Sequence, residues 1–95
     1  MEININCDLG EKSVHHSNKN DPDLLAIVNS ASVACGYHAG DNQTMSEVVQ
    51  ISKKNGVSIG AHPSFKDLEN FGRKRMNLSK SEIEKLIIEQ YEILQ

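Results

Sequence analysis

Three apolar runs in this chain each lead into a glycine-bearing turn that carries an ionisable side chain, and helical patterns lie between them. The clearest is Ala31-Ser32-Val33, followed by Ala34-Cys35-Gly36-Tyr37-His38-Ala39-Gly40-Asp41. Downstream, Val57-Ser58-Ile59-Gly60 runs into Ala61-His62-Pro63; upstream, alternating Ile3 and Ile5 run into Asn6-Cys7-Asp8-Leu9-Gly10-Glu11. Short apolar runs separated by helices form parallel sheets with right-handed crossovers. The strand ends of such a sheet gather on one face, and that face carries the chemistry.

The spacing predicts the order β-α-β-α-β-loop-α, with strands over residues 2–7, 31–35 and 57–60. A first helix is expected from Asp21-Pro22 to about Asn29, capped by Asp21, with Leu24, Leu25, Ile27 and Val28 inward. A second is expected over about 43–54, capped by Asp41 or Asn42, with Met45, Val48, Val49 and Ser52 toward the sheet and Gly56 ending it. Ser79-Lys80-Ser81-Glu82 has capping-box spacing and opens a third, whose stripe is Ile83, Leu86, Ile87, Gln90, Tyr91 and Leu94. Residues 10–20 and 61–78 read as loops, the second long enough to suggest function. Three parallel strands leave both sheet edges and one face uncovered. The chain is therefore read as one partial domain, residues 1–95, that begins a larger α/β unit or pairs with another chain.

Composition narrows the function classes. The 95 residues carry a net charge of −3, which gives no basic footprint for nucleic acid. No apolar run approaches the roughly 18–20 residues that cross a bilayer. The amino terminus lacks the basic and apolar regions of a secretory signal, so a cytoplasmic location is expected. Cys7 and Cys35 are read as thiols, without the C-x-x-C spacing of a zinc site. There is no P-loop and no Gly-x-Ser-x-Gly elbow.

Asp8, His38 and His62 stand at equivalent strand ends. One carboxylate and two imidazoles can hold a divalent metal that activates water. They can equally serve as general acid and base without one. Residue types and spacing leave both open. Glu11 and Asp41 flank these groups, and Asp41 is equally suited to capping the helix that follows. Arg73, in the long loop, can clamp a substrate carboxylate with two parallel hydrogen bonds. His15 and His16 are read as exposed, and Met45 and Met76 as packing residues.

These motifs together resemble the amino-terminal part of the LamB/YcsF family of bacteria. The resemblance rests on Asn6 to Glu11, Ala34 to Asp41, Ile59 to Pro63, and Phe71-Gly72-Arg73 followed by Met76 and Leu78-Ser79, in that order and spacing. The chain departs from the family at Lys12 to His16, where a Gly/Phe-rich segment is usual, and at Ser64, Lys66 and Lys74. Family members are more than twice as long and resemble distorted (β/α) barrels related to the polysaccharide deacetylases. The resemblance implies the first three strands and helices of such a barrel. It implies ATP-dependent opening of 5-oxo-L-proline to L-glutamate, with ATP as cosubstrate and two further 5-oxoprolinase subunits as partners. It carries over Asp8, Glu11, His38, His62 and Arg73 as site residues. Two other readings stand beside it. One is a metal-dependent deacetylase of N-acetyl sugars; the other is a non-catalytic binding piece that docks through its sheet edge near Ile3 or Ile59.

Overall fold

The computed structural model describes residues 3–13 and 16–95. The strand start expected at Glu2 and the exposure expected of His15 fall outside the described residues. The elements are β1 (Asn6–Leu9), α1 (Asp21–Leu25), β2 (Ser30–Ala34), α2 (Asn42–Asn55), β3 (Ser58–His62) and α3 (Lys80–Leu94). The three strands form one sheet in the order β1-β2-β3, and both pairings are parallel. The α/β class and the alternation of parallel strands with helices are as the sequence indicates.

β2 is the centre of the sheet because it is apolar throughout its inward side. Ala31 and Val33 are buried and alternate with the half-buried Ser30 and Ser32. Leu9 and Val33 are fully buried, and with Leu25, Met45, Val48 and Val57 they form the core between the sheet and α1 and α2. Each such side chain contributes about 1.5–3 kcal/mol by leaving water. α2 presents Met45, Val48 and Ser52 to the sheet, at the spacing that puts them on one helical face. Val49 is half-buried at the edge of that face. Gly56, at φ 69°, closes the helix in the left-handed conformation.

Several boundaries differ from the sequence reading. β1 begins at Asn6, because its pairing partner β2 begins opposite it at Ser30. Ile3 and Ile5, expected to share one face of the strand, precede it and are 75% and 48% exposed. α1 stops at Leu25 and its continuation is a turn, so Ile27 points to solvent while Leu25 and Val28 are buried. Asp21 does not cap α1. Asn20 occupies the position before the helix, with no side-chain cap, and Asp21 instead accepts a hydrogen bond from the Gly10 N–H at 2.8 Å. Burial pushes the Asp21 carboxyl above its usual range, against the opposing pull of the Gly10 N–H. α3 has the expected capping box at Ser79 and Glu82, but of its expected stripe Gln90 alone is buried. Leu86 and Leu94 are half-buried, and Ile83, Ile87 and Tyr91 are exposed.

Candidate active site

The first two motifs reach the site through left-handed glycine turns, and the third through the end of β3. After Leu9 closes β1, Gly10 at φ 71° reverses the chain, and its N–H is fixed by Asp21. In the second motif, Gly36 turns at φ 89° and donates its N–H to the Ala39 carbonyl at 3.0 Å. His38 lies inside this turn and is 2% exposed. Gly40 donates its N–H to the Lys12 carbonyl at 2.7 Å, and a Cβ on Gly40 would collide with the carbonyl oxygen of Gly10. The first two motifs therefore meet backbone to backbone. His62 is the last residue of β3 and pairs in register with Ala34, so its imidazole stands beside the second motif.

The three arms converge. His38 Nε2 lies 2.8 Å from Glu11 Oε2 in a contact largely withdrawn from water. With Glu11 ionised, the shared hydrogen belongs to Nε2, since a carboxylate can only accept. His62 Nδ1 lies 3.8 Å from the same Glu11 oxygen and 3.7 Å from Asp8 Oδ1. The two imidazole rings are 4.8 Å apart, tilted by 52°. Both His38 Nδ1 and His62 Nδ1 are buried without a hydrogen-bond partner.

Of the expected site residues, Glu11, His38 and His62 come together. Asp8, expected as the metal-ligating carboxylate, reaches His62 from the rim with its side chain 58% exposed. The carboxylate that meets both imidazoles is Glu11. Asp41 accepts a hydrogen bond from the Thr44 N–H at 2.7 Å and caps α2, and that bond holds its carboxyl below the usual range. Arg73 lies on an exposed part of the long loop, its N–H bonded to the Asn70 carbonyl. Cys7 and Cys35 are both free thiols, and burial raises the pKa of each.

The structure adds residues that sequence reasoning passed over. Phe71 sets its ring edge against His38 at 5.2 Å and also meets the exposed His16 at 5.4 Å. Its φ of 57° is a left-handed conformation that a bulky residue adopts at a cost, and such strain clusters at functional sites. Gly72 follows at φ 74°, and a Cβ there would strike the Ser64 hydroxyl and come within 2.9 Å of His38 Cβ. Buried Asp67 organises this loop by accepting from the Asn70 N–H, the Asn70 side-chain amide and the Lys74 N–H. Its own N–H donates to the Tyr37 carbonyl, which ties the loop to the second motif. Asp67 with Asn70 three residues on is a turn-forming pair, and that was the available signal.

The donor set suits a divalent metal. One ligand atom from each of Glu11, His38 and His62 lies within 4.8 Å of the other two. Zinc takes imidazole nitrogen and carboxylate oxygen at about 2.0–2.2 Å, so modest side-chain movement closes this set around an ion. The buried His62 Nδ1, without a hydrogen-bond partner and 3.8 Å from the Glu11 carboxylate, is what an ion or a reacting water would satisfy.

The fold and site together define an α/β protein with a compact His/His/carboxylate centre over its parallel strand ends. The chain belongs to the LamB/YcsF family, whose model matches residues 3–95. It is 49% identical over 90 residues to a 5-oxoprolinase subunit of Staphylococcus epidermidis, covering 95% of this chain and 36% of that protein. It is 43% identical over 95 residues to the corresponding 5-oxoprolinase subunit of Staphylococcus aureus, covering 100% of this chain and 38% of that protein. The lactam utilization protein from Thermus thermophilus superposes with a TM-score of 0.90 at 37% identity, over 99% of this chain and 38% of that one. The chain thus spans little more than a third of the length of the relatives it matches. Among the described residues, no helix is long and apolar enough to cross a membrane.

Proposed function

We propose that this chain carries the hydrolytic centre of a 5-oxoprolinase, which opens the lactam of 5-oxo-L-proline in an ATP-dependent reaction with two further subunits. The observation that carries the reading is the convergence of Glu11, His38 and His62 in a chain similar to 5-oxoprolinase subunits. Opening the lactam adds water across the C–N bond: oxygen joins the carbonyl carbon, and the ring nitrogen leaves with a proton. A base must take the water's proton and an acid must supply one to nitrogen. His62, whose side chain is 31% exposed, is the imidazole within reach of solvent and substrate. Glu11 and Asp8 both face its Nδ1 and stabilise the positive charge it acquires as a base. His38, shielded by Phe71, holds Glu11 in place through the 2.8 Å bond. Arg73 is assigned to the substrate carboxylate and Asp41 to the rim of the substrate site. A divalent metal bound by Glu11, His38 and His62 would supply a more acidic water, and His62 would then serve as a ligand in place of the base.

ATP-dependent glutamate release from 5-oxo-L-proline, measured with the partner subunits supplied, tests the reading. His62→Ala is expected to lower the rate about 10²–10⁴-fold, the usual contribution of a positioned acid–base group. An unchanged rate removes His62 from the mechanism. The same three groups also suit a metal-dependent deacetylase of N-acetyl sugars. That activity would proceed without ATP and stop on chelation.

A further inference from the structure

We propose that Gln90 is a positioning residue, through which α3 fixes the direction of the His62 imidazole. The inference rests on His62 being a member of the site, as proposed above. Gln90 is fully buried, although it is polar and belongs to a helix whose other residues are half-buried or exposed. Its amide is used at both ends on one residue of the loop: Oε1 accepts the Ser64 N–H at 2.8 Å, and Nε2 donates to the Ser64 carbonyl at 2.7 Å. The second amide hydrogen goes to the Leu86 carbonyl of the preceding helical turn at 3.0 Å, which locks the side chain's own direction. A side-chain amide that pairs with both polar groups of one backbone residue imitates a neighbouring strand.

The position of that imitation matters. The β2–β3 ladder ends at Ala34 opposite His62, so past His62 the sheet no longer holds the chain. Ser64 is two residues further on, joined through Pro63, whose ring fixes φ and stiffens the link. His62 is thereby gripped on one side by the ladder and on the other by Gln90. Its imidazole has no such bond of its own, since Nδ1 lacks a hydrogen-bond partner. His38 differs: its ring is held directly, by Glu11 and by the edge of Phe71. Loss of Gln90 should therefore loosen His62 more than His38, which Ser64 reaches only through Gly72.

The test compares wild type with Gln90→Met, which keeps length and volume without polar atoms, and with Gln90→Glu, which keeps an acceptor for the Ser64 N–H. Two readouts are taken at fixed pH: zinc(II) affinity by calorimetry, and the histidine ring NMR signals with the ring-to-ring NOE between His38 and His62. Gln90→Met is expected to weaken zinc(II) binding about 10–100-fold, as loss of an orienting residue behind a ligand does. It is also expected to shift and broaden the His62 signals and erase the NOE, while the His38 signals move less. Gln90→Glu, whose carboxylate turns an oxygen toward the Ser64 and Leu86 carbonyls in place of two donated hydrogens, is expected to disturb His62 at least as strongly. The proposal is overturned if folded Gln90→Met keeps wild-type His62 signals and NOE, or if both histidines change alike, which would assign Gln90 a general packing role. If Gln90→Met fails to fold, the same criteria are applied to Gln90→Glu. If wild type itself takes up no zinc(II), the metal reading fails separately, and the NMR comparison alone decides the role of Gln90.

Discussion

Asp8 and Glu11 are three residues apart on one turn, yet they stand in different surroundings. Gly10 reverses the chain between them, so Asp8 stays on the rim and Glu11 swings between two imidazoles. A half-buried carboxylate that meets two imidazoles matters more to a cation than an exposed one at 3.7 Å from a single ring. Glu11→Gln is expected to lower zinc(II) affinity by more than about tenfold, and Asp8→Asn by less than about threefold. Isothermal calorimetry on the two variants checks the order; the reverse order would return Asp8 to the centre. The candidate residues were legible from their residue types at strand ends. Which carboxylate turns inward was not, because the direction taken after a left-handed glycine depends on what it packs against. Here that is Gly40, whose α-carbon faces the Gly10 carbonyl. Phe71 was hidden for a related reason, since nothing in Asn70-Phe71-Gly72 announces a left-handed aromatic.

At the scale of elements, the caps of α2 and α3 were legible, and the cap of α1 and the strand edges were not. Caps are local: Asp41 sits three residues before Thr44, and Ser79 three before Glu82, so spacing alone decides them. Asp41→Ala is expected to cost about 1 kcal/mol of stability at neutral pH, as an N-cap loss does, and the effect is read from urea denaturation. Because its bond to Thr44 lowers the Asp41 pKa, that contribution is present above the ordinary carboxylate value of 3.8 and is lost as pH falls through the lowered one. The cost of Asp41→Ala should therefore shrink in strong acid. Strand limits depend on the partner. Ile3 and Ile5 alternate like strand residues, but the ladder begins at Asn6 because β2 begins at Ser30. Asp21 shows the same limit from the other side. Its place before Pro22 suggests a cap, and its actual partner, Gly10, is eleven residues away in another motif.

Across the whole molecule, that inward carboxylate couples stability to pH. Desolvation raises the Asp21 pKa in the folded state. A raised acid favours its protonated form when folded, so the group's contribution is fullest below 3.8 and is lost as pH rises through the raised value. Asp21→Asn keeps an acceptor for the Gly10 N–H without the charge. Its melting temperature is expected to exceed that of wild type by a few degrees at pH 7, with the gap closing near pH 3.5. Thermal melts across that range check it, and a constant gap would assign the effect to packing. The three-stranded, parallel architecture was legible because strand and helix periods alternate along the chain. The coverage of α3 was not, because Ile83, Ile87 and Tyr91 repeat like core residues yet stay exposed in this span of the fold. Spacing reports a helix's apolar side but not what lies against it.

The bare contact between Gly10 and Gly40 also bears on how the protein tolerates change. Any side chain at position 40 would wedge apart the two turns that bring Glu11 to His38. Random mutagenesis should therefore find that seam nearly immutable, while the exposed positions that follow Arg73 (Lys74 and Arg75) accept variety. Efforts to retune selectivity belong on that outer stretch.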